Sequence, residues 1–204
     1  MKKMRDTLEQ YWHEREEIKS LAEVLEITES KHRTILLGDI DEDAGEYVEQ
    51  MIRFFNRIDD EDKISLDLRM PIKIYINSGG GSLNATLMMI SAIKMSKTPV
   101  WTIVTGAAYS GGFFTAICGH KRFGYKYSSY LYHEGSCQMN GDAHKFRNQA
   151  KFYEKQLDMI KDITLNNTKI TDEEYTAHVK DDWWFTAEEA LAAGLIDEII
   201  EELI

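Results

Sequence analysis

The stretch that most constrains the fold runs from residue 100 to residue 120 and reads VWTIVTGAAYSGGFFTAICGH. Its first five residues are apolar or β-branched, which predicts a buried strand over 100–104. Small residues follow, and residues 113–118 predict a buried helix. Ser110 therefore lies between a strand and a helix, where backbone N–H groups are unpaired and a hydroxyl is well placed for chemistry. A tight turn with a capping serine fits this stretch equally well.

A second unit of the same design comes directly before it. Residues 71–77 alternate as a strand does, residues 78–82 read SGGGS, and residues 83–95 predict a helix. Two successive strand–turn–helix units predict a right-handed crossover with parallel strands, so both glycine turns should meet at one sheet edge, where reaction sites lie. A phosphate-binding loop is the rival interpretation, although no Gly-Lys-Ser/Thr follows the turn.

The other predicted elements frame these two units. They are a strand over 33–38, a helix over 43–58, a solvated loop over 59–69, two short strands within 121–132, a long helix over 142–166 and a strand over 195–200. Two more helices should begin at Thr171 and Thr186, because each is followed by a glutamate three residues later. Residues 1–30 have an amphipathic helical pattern and are predicted to form an extension of the domain over 31–204.

The long helix carries a narrow apolar stripe. Its members recur at steps of four and three residues and are Phe146, Ala150, Tyr153, Leu157 and Ile160. Lysine and arginine occupy the opposite side. A stripe only two residues wide on a charged helix favours packing against a partner helix over burial in the helix's own core.

Composition excludes several classes of protein. A net charge of −11 argues against a nucleic-acid partner, because phosphates require a basic surface. Residues 98–120 lack charged side chains, but Pro99, four threonines and four glycines there favour a soluble core over a membrane span. Residues 1–20 are charged throughout, unlike a signal peptide. Cys118 and Cys137 form no CxxC pair, which predicts reduced thiols and a cytoplasmic location.

A nucleophilic serine needs a base within hydrogen-bond reach and an acid that orients the base. His133 is the candidate base, because it alone follows an apolar strand that could lie beside the strand of Ser110. The other histidines lie near the N-terminus, on charged helices or at the end of the Ser110 helix; they are His13, His32, His120, His144 and His178. A surface histidine without a catalytic role remains the alternative for His133.

Four motifs together resemble the ClpP family, the proteolytic subunits of the Clp protease. They are GAAYSGGFF at 106–114, YINSGGG at 75–81, LYH at 131–133 and DWWFTAEEALAAGLID at 182–197. The resemblance covers about residues 33–200. It implies an α/β fold, the ClpP/crotonase-like spiral of repeated β-β-α units, with a protruding handle helix at about 142–166.

The resemblance also implies roles for individual residues. Ser110 would be the nucleophile, His133 the general base and Asp182 the orienting acid, with Asp181 as the rival acid. The backbone N–H groups of Gly81 and Gly111 would form the oxyanion hole. No cofactor and no metal ion are implied.

The implied activity is that of a serine endopeptidase. It would hydrolyse unfolded polypeptides or short peptides inside a homo-oligomeric ring, heptameric and either single or stacked as a double ring, with an AAA+ unfoldase as a candidate partner. An acyl-CoA hydratase or thioesterase on the crotonase-like fold and a non-catalytic ring subunit are the alternatives.

Several positions depart from the family pattern, and the chain is identified as a divergent member. Gly79 replaces a proline, Gly111 a methionine and Tyr109 a small residue. Glu134-Gly135 replaces Gln-Pro, and the acid–arginine pair before the triad acid is reversed as Lys180–Asp181.

Overall fold

A computed structural model describes residue 29 and residues 31–135 and 141–203. The strands are β1 (Thr34–Leu37), β2 (Ile72–Ser78), β3 (Val100–Tyr109), β4 (Lys121–Tyr125), β5 (Ser129–Tyr132), β6 (Trp183–Thr186) and β7 (Glu198–Ile200). The helices are α1 (Glu42–Glu61), α2 (Leu83–Met95), α3 (Gly111–Ala116), α4 (Ala143–Asn167), α5 (Asp172–His178) and α6 (Ala187–Ala192), with a 3₁₀ turn at Leu66–Leu68. The predicted extension, except Glu29, and Cys137 lie outside the described residues.

The sheet is parallel in the order β1-β2-β3-β4-β7, as the two crossover units predict. Its central strand β3 is longer than the predicted strand over 100–104 and continues through the small residues to Tyr109. The first half of β3 pairs with β4, and residues 107–109 pair with β5. That second partner supplies the hydrogen bonds that keep Ala107 and Ala108 extended. Helix α3 begins at Gly111, two residues before the predicted helix over 113–118.

Strand β6 was not predicted, and it gives the fold its branch. It pairs antiparallel with β5, and this two-stranded arm leaves the main sheet at the end of β3. Only four residues long and flanked by charge, β6 has no alternation long enough to indicate a strand. The capping boxes at Thr171 and Thr186 are both present, and β7 is shorter than the predicted strand over 195–200.

Helices α1 and α2 pack together beside the sheet. The side chain of Asp41 caps α1 by accepting a hydrogen bond of 2.8 Å from the backbone N–H of Ala44. The two helices approach closely at Gly45, where a Cβ would lie 2.8 Å from the Cβ of Ala85. One face of β2 buries Ile72, Ile74 and Ile76 against this layer, which holds the first glycine turn against the sheet.

The predicted solvated loop over 59–69 is confirmed for residues 62–68, which are exposed, and is wrong at its two ends, where Asp59 and Arg69 are buried. Helix α1 continues to Glu61, and Asp59 is only 1% exposed. Its carboxylate accepts hydrogen bonds from both terminal nitrogens of Arg33, at 2.8 and 2.6 Å, and from the hydroxyl of Thr98, at 2.6 Å. These partners lie far away along the chain, so the charged composition of the segment gave no sign of the buried ion pair.

Helix α4 begins after Asp142, whose carboxylate caps the N–H groups of the first turn. Its only buried residues are Ile160 and Thr164, so the first four turns extend beyond the core of this chain. Phe146 at the far end of the predicted stripe is 51% exposed. Among the described residues, no helix is both long and apolar enough to cross a membrane.

Candidate active site

Ser110 occupies the sharp turn between β3 and α3. Its backbone has φ 52° and ψ −120°, a conformation that costs a non-glycine residue about 1–3 kcal/mol. Hydrogen bonds fix it on both sides: the N–H of Ser110 donates to the carbonyl of Leu131 at 3.0 Å, and its own carbonyl accepts from Phe114 at 3.2 Å. A strained serine at a strand–helix junction is the geometry that presents a nucleophile at the top of a sheet.

The first glycine turn lies directly against this serine, which confirms the predicted shared edge. Ser78 pairs with Ala108, so both turns leave the sheet at the same level. Gly80 has φ 97°, and a Cβ there would lie 2.6 Å from the Cβ of Ser110. A Cβ at Gly81 would meet the carbonyl oxygen of Ile40 at 2.0 Å. The turn is therefore packed against this chain's own backbone rather than wrapped around an open phosphate-sized space.

The backbone N–H groups of Gly81 and Gly111 lie together beside Ser110. The carbonyl of Gly80 accepts a hydrogen bond from the N–H of Ile40, and the N–H of Ser82 donates to the carbonyl of Ile40. Because these two bonds flank Gly81, its own N–H lies on the side away from Ile40. A Cβ built on Gly111 would lie 3.6 Å from the nitrogen of Gly81. Gly111 is the first residue of α3, where an N–H has no partner within the helix. Two adjacent donors beside a serine can stabilise a negatively charged oxygen.

His133 and Asp182 lie next to the ends of the two paired strands β5 and β6. The antiparallel register pairs Tyr132 with Trp183. Extending that register by one residue sets His133 opposite Asp182, and it sets the rival Asp181 opposite Glu134. Opposite residues of an antiparallel pair have Cβ atoms about 5 Å apart, within reach of a histidine–carboxylate contact.

The parallel register of β3 and β5 places the same histidine near Ser110. Tyr109 pairs with Leu131, so His133 lies one residue beyond the level of Ser110. Among the described residues, no hydrogen bond joins Ser110, His133 and Asp182. Catalytic hydrogen bonds are often long or poorly aligned before substrate binds, and they shorten in the complex with substrate. Both registers could be found only from the tertiary structure.

Three other reactive side chains among the described residues have surroundings that do not favour a part in this site. Nδ1 of His120 accepts a hydrogen bond from the N–H of Val100 at 2.9 Å, and burial lowers the pKa of His120. His178 stacks on Trp183 at 4.3 Å, and strand alternation puts Trp183 on the face opposite Asp182. Burial raises the pKa of Cys118 to about 12, so its thiol stays protonated. Within the described ranges, no three His, Cys, Asp or Glu side chains are grouped as metal ligands.

Gly111 is expected to tolerate no side chain, which explains why the methionine of the family pattern is absent. A Cβ there would lie 2.4 Å from the hydroxyl oxygen of Thr86 and 3.2 Å from the side chain of Ile40. Gly111→Ala should therefore lower the free energy of unfolding by about 1–3 kcal/mol, the usual cost of overpacking a core. Urea unfolding would measure it. Adding Thr86→Ser to Gly111→Ala keeps the hydroxyl and should recover none of the lost stability. Adding Thr86→Ala removes the hydroxyl and should recover part of it. Equal recovery in the two double variants would contradict a clash with the Thr86 hydroxyl.

A strained serine at a strand–helix junction beside a glycine turn, on an α/β fold, is typical of serine-type hydrolases. Over residues 15–203 the sequence matches the Clp protease family, and the chain belongs to that family. It is accordingly a serine-type endopeptidase.

Curated relatives agree with this assignment. The ATP-dependent Clp protease proteolytic subunit 2 of Treponema pallidum (strain Nichols) is 30% identical over 173 residues, covering 83% of each chain. The subunit 2 of Treponema denticola is 32% identical over 168 residues, covering 81% of this chain and 80% of the relative. The proteolytic subunit of Deinococcus radiodurans is 33% identical over 133 residues, covering 64% and 65%.

Proposed function

We propose that this endopeptidase cleaves unfolded polypeptides and short peptides with Ser110 as nucleophile, His133 as general base and Asp182 as the acid that orients it. The observation that carries the assignment is the convergence of two strand registers. The β3–β5 register, continued past its last pair Tyr109–Leu131, supports His133 as the base, one residue beyond the level of Ser110. The β5–β6 register, continued one residue past Tyr132–Trp183, supports Asp182 as the partner of His133.

In this mechanism the hydroxyl of Ser110 attacks the scissile carbonyl carbon while His133 accepts the hydroxyl proton. The carbonyl oxygen becomes negatively charged, and the N–H groups of Gly81 and Gly111 donate to it. His133 then gives its proton to the leaving amine, and an ester remains on Ser110. Water, deprotonated by His133, hydrolyses that ester and restores the serine.

The glycine turn contributes by being fixed before the substrate arrives. Donors that need no rearrangement stabilise the transition state more than the ground state, and one such donor is worth about 10²–10³ in rate. The bonds of residues 80 and 82 to Ile40 hold the Gly81 N–H in place.

A serine-directed fluorophosphonate tests this assignment. It should label the intact protein once, at Ser110, as located by peptide mass mapping. Ser91→Ala, which removes an exposed serine on α2, should label like the wild type, and Ser110→Ala should not label. Hydrolysis of a fluorogenic peptide but not of an acyl-CoA would separate a peptidase from a thioesterase. Labelling elsewhere, or none, would overturn the proposal.

We further propose that the chain works as a homo-oligomeric ring in the cytoplasm, heptameric and single or stacked, with residues 1–30 as a helical extension of the peptidase domain over 31–204. The relatives' names describe subunits of an ATP-dependent protease, which supports an AAA+ unfoldase as partner. Helix α4 supports the ring contact, because most of its length extends beyond the core and Phe146 is exposed.

The assembly can be tested on α4. Phe146→Lys with Leu157→Lys should split a double ring into single rings, because the pair places two charges in the proposed apolar contact. Tyr153 is left unchanged, since its hydroxyl donates to the carbonyl of Glu134, next to His133. The control is Glu154→Gln with Asp158→Asn, an equal change of charge on another side of the helix. Light scattering measures the mass, and an unchanged mass in the first variant would contradict the contact.

A further inference from the structure

An aromatic contact spans the three strands that lead to the proposed catalytic residues. Tyr109 on β3 pairs with Leu131 on β5, and Leu131 pairs with Trp184 on β6. Residues paired across a sheet project to the same face, so the three side chains form one row. The rings of Tyr109 and Trp184 meet edge to face across the middle strand, with centroids 5.2 Å apart and planes at 77°.

Tyr109 is also bound to the middle strand itself. Its hydroxyl forms a hydrogen bond of 2.8 Å with the hydroxyl of Ser129 on β5. One side chain on β3 thus contacts both strands of the β5–β6 arm. Backbone hydrogen bonds join the arm to this end of β3 through the short parallel pairing at residues 107–109 and the Ser110–Leu131 bond. The other face of the arm packs on α3, where the ring of Phe113 contacts Tyr132 and Phe185. The contact of Tyr109 therefore restrains how the arm lies against β3.

Each strand in this row carries a proposed catalytic residue close by. Ser110 directly follows Tyr109, His133 is two residues beyond Leu131, and Asp182 is two residues before Trp184. Strand side chains alternate with a period of two, and continuing that alternation one residue past β5 and β6 puts His133 and Asp182 on the same face as Leu131 and Trp184. A shift of the β5–β6 arm would move His133 and Asp182 together relative to Ser110, which directly follows β3.

We propose that Tyr109 and Trp184 are positioning residues, an aromatic brace that sets the distance of the His133–Asp182 arm from Ser110. This inference rests on the proposed function of those three residues. Tyr109 stands where the family pattern has a small side chain, so the brace is a feature of this chain. Misplacing catalytic groups by about 1 Å costs about 10²-fold in rate, whereas one exposed aromatic contact adds little to the stability of the fold.

The test compares kcat and KM for a short fluorogenic peptide in variants of the full chain. Trp184→Ala should lower kcat about tenfold or more with KM within about twofold, because it releases the arm without removing a catalytic group. Trp184→Phe keeps a ring and should remain within about threefold of the wild type. Tyr109→Phe loses only the bond to Ser129 and should lower kcat about threefold.

The matched control is Trp101→Ala. It breaks a similar aromatic pair, with Phe123 at 5.4 Å, at the opposite end of β3, and it should leave kcat within about twofold. Light scattering checks the mass of each variant. If Trp184→Ala changes the mass of the assembly, the test rests on the kcat of Tyr109→Phe. The brace would be overturned if Trp184→Ala left kcat unchanged or raised only KM. It would also be overturned if the kcat of Trp184→Phe were as low as that of Trp184→Ala. An active Ser110→Ala would instead overturn the proposed function.

Discussion

Replacing Ser110 by alanine is expected to reduce peptide hydrolysis by about 10³-fold or more, because the change removes the oxygen that forms the bond to the substrate. The oxyanion donors and the neighbouring strands stay in place. The rate is measured with a fluorogenic peptide at saturating substrate. Ser91→Ala on α2 serves as the control and should retain full activity. Retention of most activity in Ser110→Ala would contradict the assignment of the nucleophile.

A glycine at the same position tests the backbone strain at Ser110 separately from the loss of the hydroxyl. Ser110→Gly should be as inactive as the alanine variant, but it should be more stable by about 1–2 kcal/mol, since glycine adopts φ 52° without the cost that serine bears. The alanine variant should keep the stability of the wild type within about 1 kcal/mol. Thermal unfolding at one fixed protein concentration compares the three. A glycine variant less stable than the alanine variant would contradict strain at this turn.

Asp59→Ala is expected to lower the free energy of unfolding by about 3–5 kcal/mol, the cost of breaking a buried ion pair on one side. The side chain of Arg33 is only 12% exposed, and the substitution removes its carboxylate partner. Thr98 loses its acceptor as well. Urea unfolding measures the loss. A change below about 1 kcal/mol would mean that water replaces the carboxylate at this site.

The control lies on the same helix. Glu49 accepts two hydrogen bonds from Arg53, at 2.9 and 3.1 Å, in an ion pair exposed to solvent. Glu49→Ala should cost no more than about 0.5 kcal/mol, because exposed pairs one helical turn apart contribute little. The contrast between two carboxylates of similar geometry isolates the effect of burial.

The same ion pair predicts a pH dependence. Hydrogen bonding by Arg33 lowers the pKa of Asp59 in the folded protein, so the unfolded chain takes up this proton at a higher pH. The contribution of Asp59 is therefore fully present above about pH 4, the ordinary range of an aspartate, and is lost as pH falls through the lowered pKa. The stability difference between wild type and Asp59→Ala should shrink below about pH 4. A constant difference across that range would contradict the linkage.

The sequence alone determined the features that depend on local pattern. The two strand–glycine–helix units followed from hydrophobic periodicity and from glycines at positions where backbone approaches backbone. The capping boxes at Thr171 and Thr186 followed from a threonine with a glutamate three residues later. The pattern also made Ser110 a candidate nucleophile and His133 a candidate base, whereas the family and the role of Asp182 came from motif resemblance.

The tertiary structure decided whatever depends on partners distant along the chain. The length of β3 is set by β5, which binds residues 107–109 and keeps small residues extended. Strand β6 exists because β5 offers it a free edge, and their pairing ends at Tyr132 and Trp183, the residues next to His133 and Asp182. Asp59 is buried because Arg33 and Thr98 reach it. Hydrogen bonds between separate strands and ion pairs between separate segments leave no periodic trace in the sequence, and so only the folded chain reveals them.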